Sequence, residues 1–288
     1  MNASWTRFIA TAVLFCGCLV IDGSLPDRAH AIITRHDTGY TRYYAREWDY
    51  PAVFPLGTDG FLHTCVASLI ADTWALTAAH CIQESGMAQA FSSEEGYVVR
   101  VSQQPIPVAE YYLHPAWQGG VSGSRSETDL ALIRLHSSVD GITPLSLYAG
   151  EAEAGAQMTF LGWGYTGTGS HPRRTRDGQL RKAHNRVVEV SEAWLRFDFE
   201  SPTESQNALP LEGVPGLGDS GSPALFEVNN RDCLAGVAIG ELGAPSANAW
   251  GKYGARVIYQ RVSRQLAWIQ QVIGESYDVT QSCISSPQ

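Results

Sequence analysis

Beyond its N-terminal segment, the chain alternates short apolar runs with Gly, Pro and Asn. Cys65 to Ile70, Trp74 to Thr77, Tyr97 to Val101, Leu130 to Leu135, Gln157 to Trp163, Arg186 to Val190, Ala224 to Val228 and Leu234 to Ile239 each read as a strand. Several alternate apolar and polar side chains, which turns one face to a core; others form short runs buried on both faces. No strand–helix alternation is visible, which argues against a parallel α/β sheet. Only Val262 to Ile273 carries helical spacing: Val262, Leu266, Ile269 and Ile273 recur on one face, and Gly274 follows as a stop. Many strands and one terminal helix point to an all-β chain of antiparallel barrels or sandwiches. Gly164 to Gly178, rich in Gly, Thr and Arg, reads as an exposed loop.

The N-terminal segment follows another rule. Arg7 precedes Phe8 to Ile21, an uncharged run of 14 residues. A spanning helix needs roughly 20. A short apolar run behind one positive charge is the pattern of a secretory signal, and Ala29-His30-Ala31 supplies the small-x-small cleavage site. Residues 1–31 are therefore expected to be a signal peptide, with Ile32 as the new terminus. A buried N-terminal helix and a lipid anchor at Cys18 are the alternatives; Phe15-Cys16-Gly17 makes a poor lipidation site.

Composition narrows the class. Of 288 residues, 44% are apolar, 17% are charged and 28 are Gly, which argues against a coiled coil or a disordered chain and for a loop-rich globular fold. A phosphate backbone needs a basic face, and the net charge of −9 disfavours one, so nucleic acid is not an expected partner. Removing residues 1–31 takes away Arg7, Arg28, Asp22 and Asp27 and leaves the charge unchanged. It also removes Cys16 and Cys18. Cys65, Cys81, Cys233 and Cys283 remain, an even number in an exported chain, and three pairings are open.

Three segments carry candidate chemistry. In Leu76-Thr77-Ala78-Ala79-His80-Cys81 a histidine ends an apolar strand. In Asp129-Leu130-Ala131-Leu132-Ile133 a carboxylate opens one. In Gly218-Asp219-Ser220-Gly221-Ser222-Pro223 a serine sits in a glycine-rich turn. Singly, each has a structural reading. Together they supply what acyl transfer needs: a hydroxyl, a base to take its proton and a carboxylate to orient that base. Glycines beside the serine let backbone N–H groups face a developing oxyanion.

With these segments in the order His, Asp, Ser, the chain resembles the trypsin/chymotrypsin family of serine proteases. Gly162-Trp163-Gly164, Gly236-Val237-Ala238-Ile239-Gly240 and Tyr259-Gln260-Arg261-Val262 extend the resemblance over nearly all of the chain after residue 31. The order differs from that of α/β-hydrolases, and Ser222 stands where a G-x-S-x-G elbow requires its last Gly. The resemblance implies two antiparallel six-stranded β-barrels and a C-terminal helix. The barrels would span 32–140 and 141–274, with a tail at 275–288. It implies a secreted serine endopeptidase with Ser220 as nucleophile, His80 as base and Asp129 as the group orienting it. Gly218 and Ser220 would donate to the oxyanion, and a free Ile32 ammonium would pair with Asp219. Thr34 and Arg35 depart from the family's usual glycines after the new terminus. Cys65 would pair with Cys81, leaving Cys233 and Cys283 to pair or to stand as free thiols.

For the substrate pocket, the resemblance points to Val214 at the base, Gly240 at the entrance and Val257 on a wall. Val214 replaces the carboxylate that trypsin-like cleavage after Lys or Arg requires, so a small or medium apolar residue is expected before the scissile bond, with an aromatic one as runner-up. Ala238 stands where relatives carry a serine that bonds the triad Asp. His36, His63, His114, His136, His171 and His184 show no metal-ligand spacing, and neither metal nor cofactor is expected. Expected partners are peptide or protein substrates; the chain is expected to be a monomer with no membrane attachment after signal removal. The competing class is a protease-like protein that only binds. Such a chain usually lacks a triad residue, and all three stand here.

Overall fold

The computed structural model describes residues 32–57, 65–119, 128–171, 175–242, 250–274 and 282–284. Its strands in chain order are β1 (Ile33–Thr34), β2 (Val53–Leu56), β3 (Cys65–Ala71), β4 (Trp74–Thr77), β5 (Val98–Val101), β6 (Gln104–Leu113), β7 (Ala131–Leu135), β8 (Ser146–Leu147), β9 (Gln157–Gly162), β10 (Gly167–Thr168), β11 (Arg181–Val190), β12 (Trp194–Asp198), β13 (Gly213–Val214), β14 (Pro223–Val228), β15 (Arg231–Leu242) and β16 (Arg256–Arg261). The helices are α1 (His80–Glu84), α2 (Met87–Ser92) and α3 (Leu266–Ile273).

Strands β2 to β7 form one sheet in the order β2-β3-β4-β7-β6-β5, and β2 returns alongside β5. Strand β3 is buried at every position, whereas β5 alternates exposed and buried residues. The second sheet runs β14-β9-β11-β12-β16-β15, and pairing of β14 with β15 closes it into a six-stranded barrel. Strand β8 adds to β15 in parallel. The expected pair of antiparallel barrels with a terminal helix is thus the architecture found.

Local differences have physical causes. The helix expected from Val262 begins as a 3-10 turn, Val262–Arg264, and becomes α-helical only from Leu266. Strand β6 carries Pro105 and Pro107, which demote a strand reading. Both are exposed, and they lie before the stretch of β6 that pairs with β7, so their missing N–H groups interrupt no ladder on that side. The segment 164–178 is not simply an exposed loop. Thr166 is buried and donates through its hydroxyl to the Ile32 carbonyl, while β10 pairs with β1. Residues 172–174 of it, the signal segment 1–31 and His63 lie outside the described residues.

Two disulfides are present. Cys65–Cys81 ties β3 to α1 across a separation of 16 residues, worth about 3 kcal/mol by chain entropy. Cys233–Cys283 closes a separation of 50 residues. It pins the tail, where Cys283 donates its N–H to the Leu147 carbonyl of β8 at 2.8 Å.

Candidate active site

Strand register brings the histidine and the carboxylate together. β4 and β7 are antiparallel neighbours with Thr77 opposite Ala131, so the chain leaving β4 and the chain entering β7 lie at the same edge. His80 follows Thr77 at the start of α1, and Asp129 precedes Ala131. Both are nearly fully buried. His80 Nδ1 lies 2.6 Å from Asp129 Oδ2, and the His80 backbone N–H donates to Oδ1 at 3.0 Å. Burial pushes the His80 pKa down, but the hydrogen bond and charge of Asp129 outweigh it, and the net shift is upward from 6.5. His80 Nε2 is buried and has no hydrogen-bond partner among the described residues.

The serine arrives from the second barrel, in the turn between β13 and β14. The Val66 N–H of β3 donates to the Ser220 carbonyl at 2.8 Å, and Gly221 N–H donates to the Ala238 carbonyl of β15 at 2.8 Å. Gly221 has φ +79°, and a Cβ there would stand 2.2 Å from the Val66 carbonyl oxygen. Only glycine fits a turn pressed this closely against the other barrel. Ser220 is partly exposed, and the N–H groups of Gly218 and Ser220 have no acceptor among the described residues.

Asp219, next to the serine, is fully buried. Its carboxylate accepts from Gly164 N–H at 2.7 Å and Gly216 N–H at 2.9 Å, and the Ile32 N–H is a third donor. Burial outweighs these donors and raises its pKa from 3.8 to about 6. A Cβ at Gly162 would fall 2.0 Å from Asp219 Oδ1, a physical reason for the Gly162-Trp163-Gly164 motif. Ile32 and Ile33 are fully buried, with Ile33 paired to both Val214 and Gly167.

A small cavity beside Ser220 is lined by Pro215, Gly216, Ala238, Gly240, Trp250 and Val257. Its free volume of about 10 Å³ is close to the least that holds one water molecule. Gly240 and Val257 line this cavity beside Ser220. Val214 is fully buried, pairs with Ile33 and is not among the lining residues. Pro215, its neighbour, lines the cavity instead. Trp250 is a further lining residue, and no local sequence pattern marks a lone Trp after a Gly- and Ala-rich stretch as a pocket wall.

Cys65, His80 and Cys81 place their potential ligand atoms within 4.8 Å of one another. The two sulfurs are joined to each other, so they are not thiolates, and the imidazole alone remains as a donor.

The sequence model of the Trypsin family matches residues 37–269, and the chain belongs to that family. It is 29% identical over 225 residues to the trypsin of Phaedon cochleariae, covering 73% of this chain and 78% of that protein. It is 23% identical over 221 residues to the ovochymase of Halocynthia roretzi, covering 72% of this chain and 13% of that much longer protein. Among solved structures, neuropsin, a serine protease expressed in the limbic system of mouse brain, shares the fold. The TM-score is 0.60 at 22% identity, over 80% of this chain and 98% of neuropsin. Family membership makes the chain a serine endopeptidase, a hydrolase acting on protein or peptide substrates.

Proposed function

We propose that this chain hydrolyses peptide bonds through His80, Asp129 and Ser220, by way of an acyl-enzyme. The observation that carries the reading is the double contact of Asp129 with His80. It holds Nδ1 on the carboxylate and leaves Nε2 without a partner. In this mechanism Nε2 takes the Ser220 proton as Oγ attacks the carbonyl. The N–H groups of Gly218 and Ser220 hold the oxyanion, and His80 then protonates the leaving amine. Water repeats the sequence to release the acid. No step uses a cofactor or metal. The test is labelling with a fluorophosphonate: modification at Ser220, found by mass spectrometry, supports the enzyme. A folded, unlabelled protein supports the binding-only alternative.

The base must be neutral to accept a proton. With its pKa raised, His80 loses its proton only above the ordinary 6.5. Activity is therefore expected to rise with pH through a midpoint above 6.5 and to stay high in mild alkali. A kcat/KM profile with its maximum near pH 4 would exclude a histidine base.

The cavity beside Ser220 is tight, and Pro215, Ala238, Trp250 and Val257 supply no charge. This supports cleavage after small or medium apolar residues. Val257→Gly is expected to shift preference towards larger apolar residues by about tenfold in kcat/KM, since each methylene in such a pocket is worth about 1–3 kcal/mol. Profiling a peptide library with both proteins checks this; an unchanged preference removes Val257 from the pocket wall.

The same reading makes residues 1–31 a signal peptide, 32–140 and 141–274 the two barrel domains, and 275–288 a tail. The mature enzyme then starts at Ile32 and is secreted as a monomer, without nucleic-acid or membrane partners. The two disulfides fit an oxidising compartment. No helix among the described residues is long and apolar enough to cross a membrane. N-terminal sequencing of exported protein tests the terminus.

A further inference from the structure

We propose that Gln260 is a positioning residue for Asp129, supplying from the opposite barrel the restraint that Ala238, without a hydroxyl, does not. The inference rests on the triad reading above.

The Asp129 carboxylate must meet two donors at once, the backbone N–H and Nδ1 of His80. Both donors belong to one residue. No third donor reaches the carboxylate among the described residues, so a rotation of the Asp129 side chain would weaken both bonds together. Its orientation must then be set through the backbone of Asp129. That backbone lies before β7, outside the ladder with β4, which begins at Ala131. The Asp129 N–H therefore has no strand partner. It donates instead to Gln260 Oε1 at 3.0 Å. Gln260 lies on β16 of the second barrel and is fully buried.

The carboxamide is itself held. Its Nε2 donates to the Ala193 carbonyl at 2.9 Å, and that carbonyl also accepts the Arg261 N–H at 2.8 Å. With the donor end fixed on a carbonyl, the acceptor end must face Asp129. The turn bearing Ala193 is braced in turn. Ser191 Oγ accepts from Ala193 N–H and Trp194 N–H, and Arg261 Nη1 donates to the Ser191 carbonyl at 3.1 Å. The Arg261 guanidinium is fixed by a bidentate pair with Glu153 at 2.8 and 2.9 Å, joined by the Ser263 hydroxyl. Glu153 and Arg261 are both buried. A contiguous set of polar contacts thus runs from Glu153 through Arg261 and the 191–194 turn to Gln260 and Asp129. Such a pair costs desolvation and is retained here where it fixes geometry.

A side chain that merely satisfied a buried N–H would change stability alone. A positioning residue changes the chemical step and its pH dependence. Gln260→Leu, close in volume, removes the acceptor. Its kcat is expected to fall about tenfold with KM within twofold, and the acidic midpoint to drop as the Nδ1 contact weakens. Gln260→Glu adds a titratable reporter. Protonated, it offers the same acceptor to Asp129 and an O–H to Ala193. Ionised, it sets a negative oxygen against that carbonyl. Its kcat is expected to gain a descending alkaline limb that the parent enzyme lacks.

The measurements are kcat and KM against pH on a small apolar peptide anilide, with circular dichroism for the fold. Folded Leu and Glu variants with parental kcat and parental pH profiles overturn the proposal. If Leu does not fold, the Glu profile decides by the same criterion. If neither folds, Gln260 serves the fold rather than Asp129, and the proposal also falls. Fluorophosphonate labelling of the parent enzyme separates the two failures. An unlabelled parent sinks the triad reading itself, whereas a labelled parent with indifferent variants sinks only the role of Gln260.

Discussion

Ser220→Ala is expected to lower kcat by on the order of a millionfold, and His80→Ala by about as much. The double variant should be no worse than either single one. The reason is that the hydroxyl and the imidazole act as a unit: without the base Ser220 is a weak nucleophile, and without the hydroxyl the base has no proton to take. Asp129→Asn should cost about ten-thousandfold, because an amide that donates to Nδ1 selects the wrong tautomer. Ser220→Ala should fold, since Ser220 is partly exposed and the Val66-to-Ser220 bond uses backbone atoms alone. Turnover of an apolar peptide anilide is the measurement, with near-ultraviolet circular dichroism as the control on folding. A folded Ser220→Ala enzyme within tenfold of the parent rate would remove Ser220 from the mechanism.

The three site segments are legible from sequence because each is local: a histidine after an apolar run, a carboxylate before one, a serine among glycines. What the sequence hides is every polar group satisfied at long range. Strand β16 reads poorly because Gln260 and Arg261 interrupt its apolar run, yet both are buried. Their partners, Asp129 and Glu153, lie 131 and 108 residues away in sequence. No window of neighbouring residues contains that information. Strand β4 shows the opposite case. Trp74 to Thr77 is buried throughout, its boundaries coincide with the apolar run, and pattern alone locates it. Helices α1 and α2 are too short for a helical period to emerge. The family resemblance carried what pattern could not, namely the pairing of the barrels. It was least informative where this chain departs from its relatives, at Val214 and Ala238.

The N-terminus at Ile32 is expected to decide the stability of the site above pH 6. Where Ile32 is linked to Ala31, its nitrogen is an amide, and Asp219 has N–H dipoles and the charge of Arg176 to favour its ionised form. Its folded pKa is then about 6, against 3.8 as the ordinary value. Because the folded value is the higher one, the folded state holds an extra proton between them. That contribution is complete below pH 3.8 and gone once pH passes 6, a loss of about 3 kcal/mol. Ile32 also stands at φ +60°, a region costly for a β-branched residue. Cutting after Ala31 creates an ammonium at the Ile32 nitrogen. The carboxylate then stays ionised beside an opposite charge, and the penalty above pH 6 disappears. The chain beginning at Ile32 should therefore match the chain beginning at Ala31 in stability near pH 4 and exceed it increasingly up to pH 7. The advantage should shrink in alkali as the ammonium loses its proton. Activity should follow the same window, because the turn bearing Gly218 and Ser220 hangs on Asp219. The Asp219 N–H donates to the Gly216 carbonyl, and the Ser222 N–H donates to that of Asp219. Thermal unfolding of the two chains between pH 4 and 9 is the measurement. Superimposable curves would show that the Ile32 amine does not reach Asp219, and activation by a cut after Ala31 would then have no physical basis.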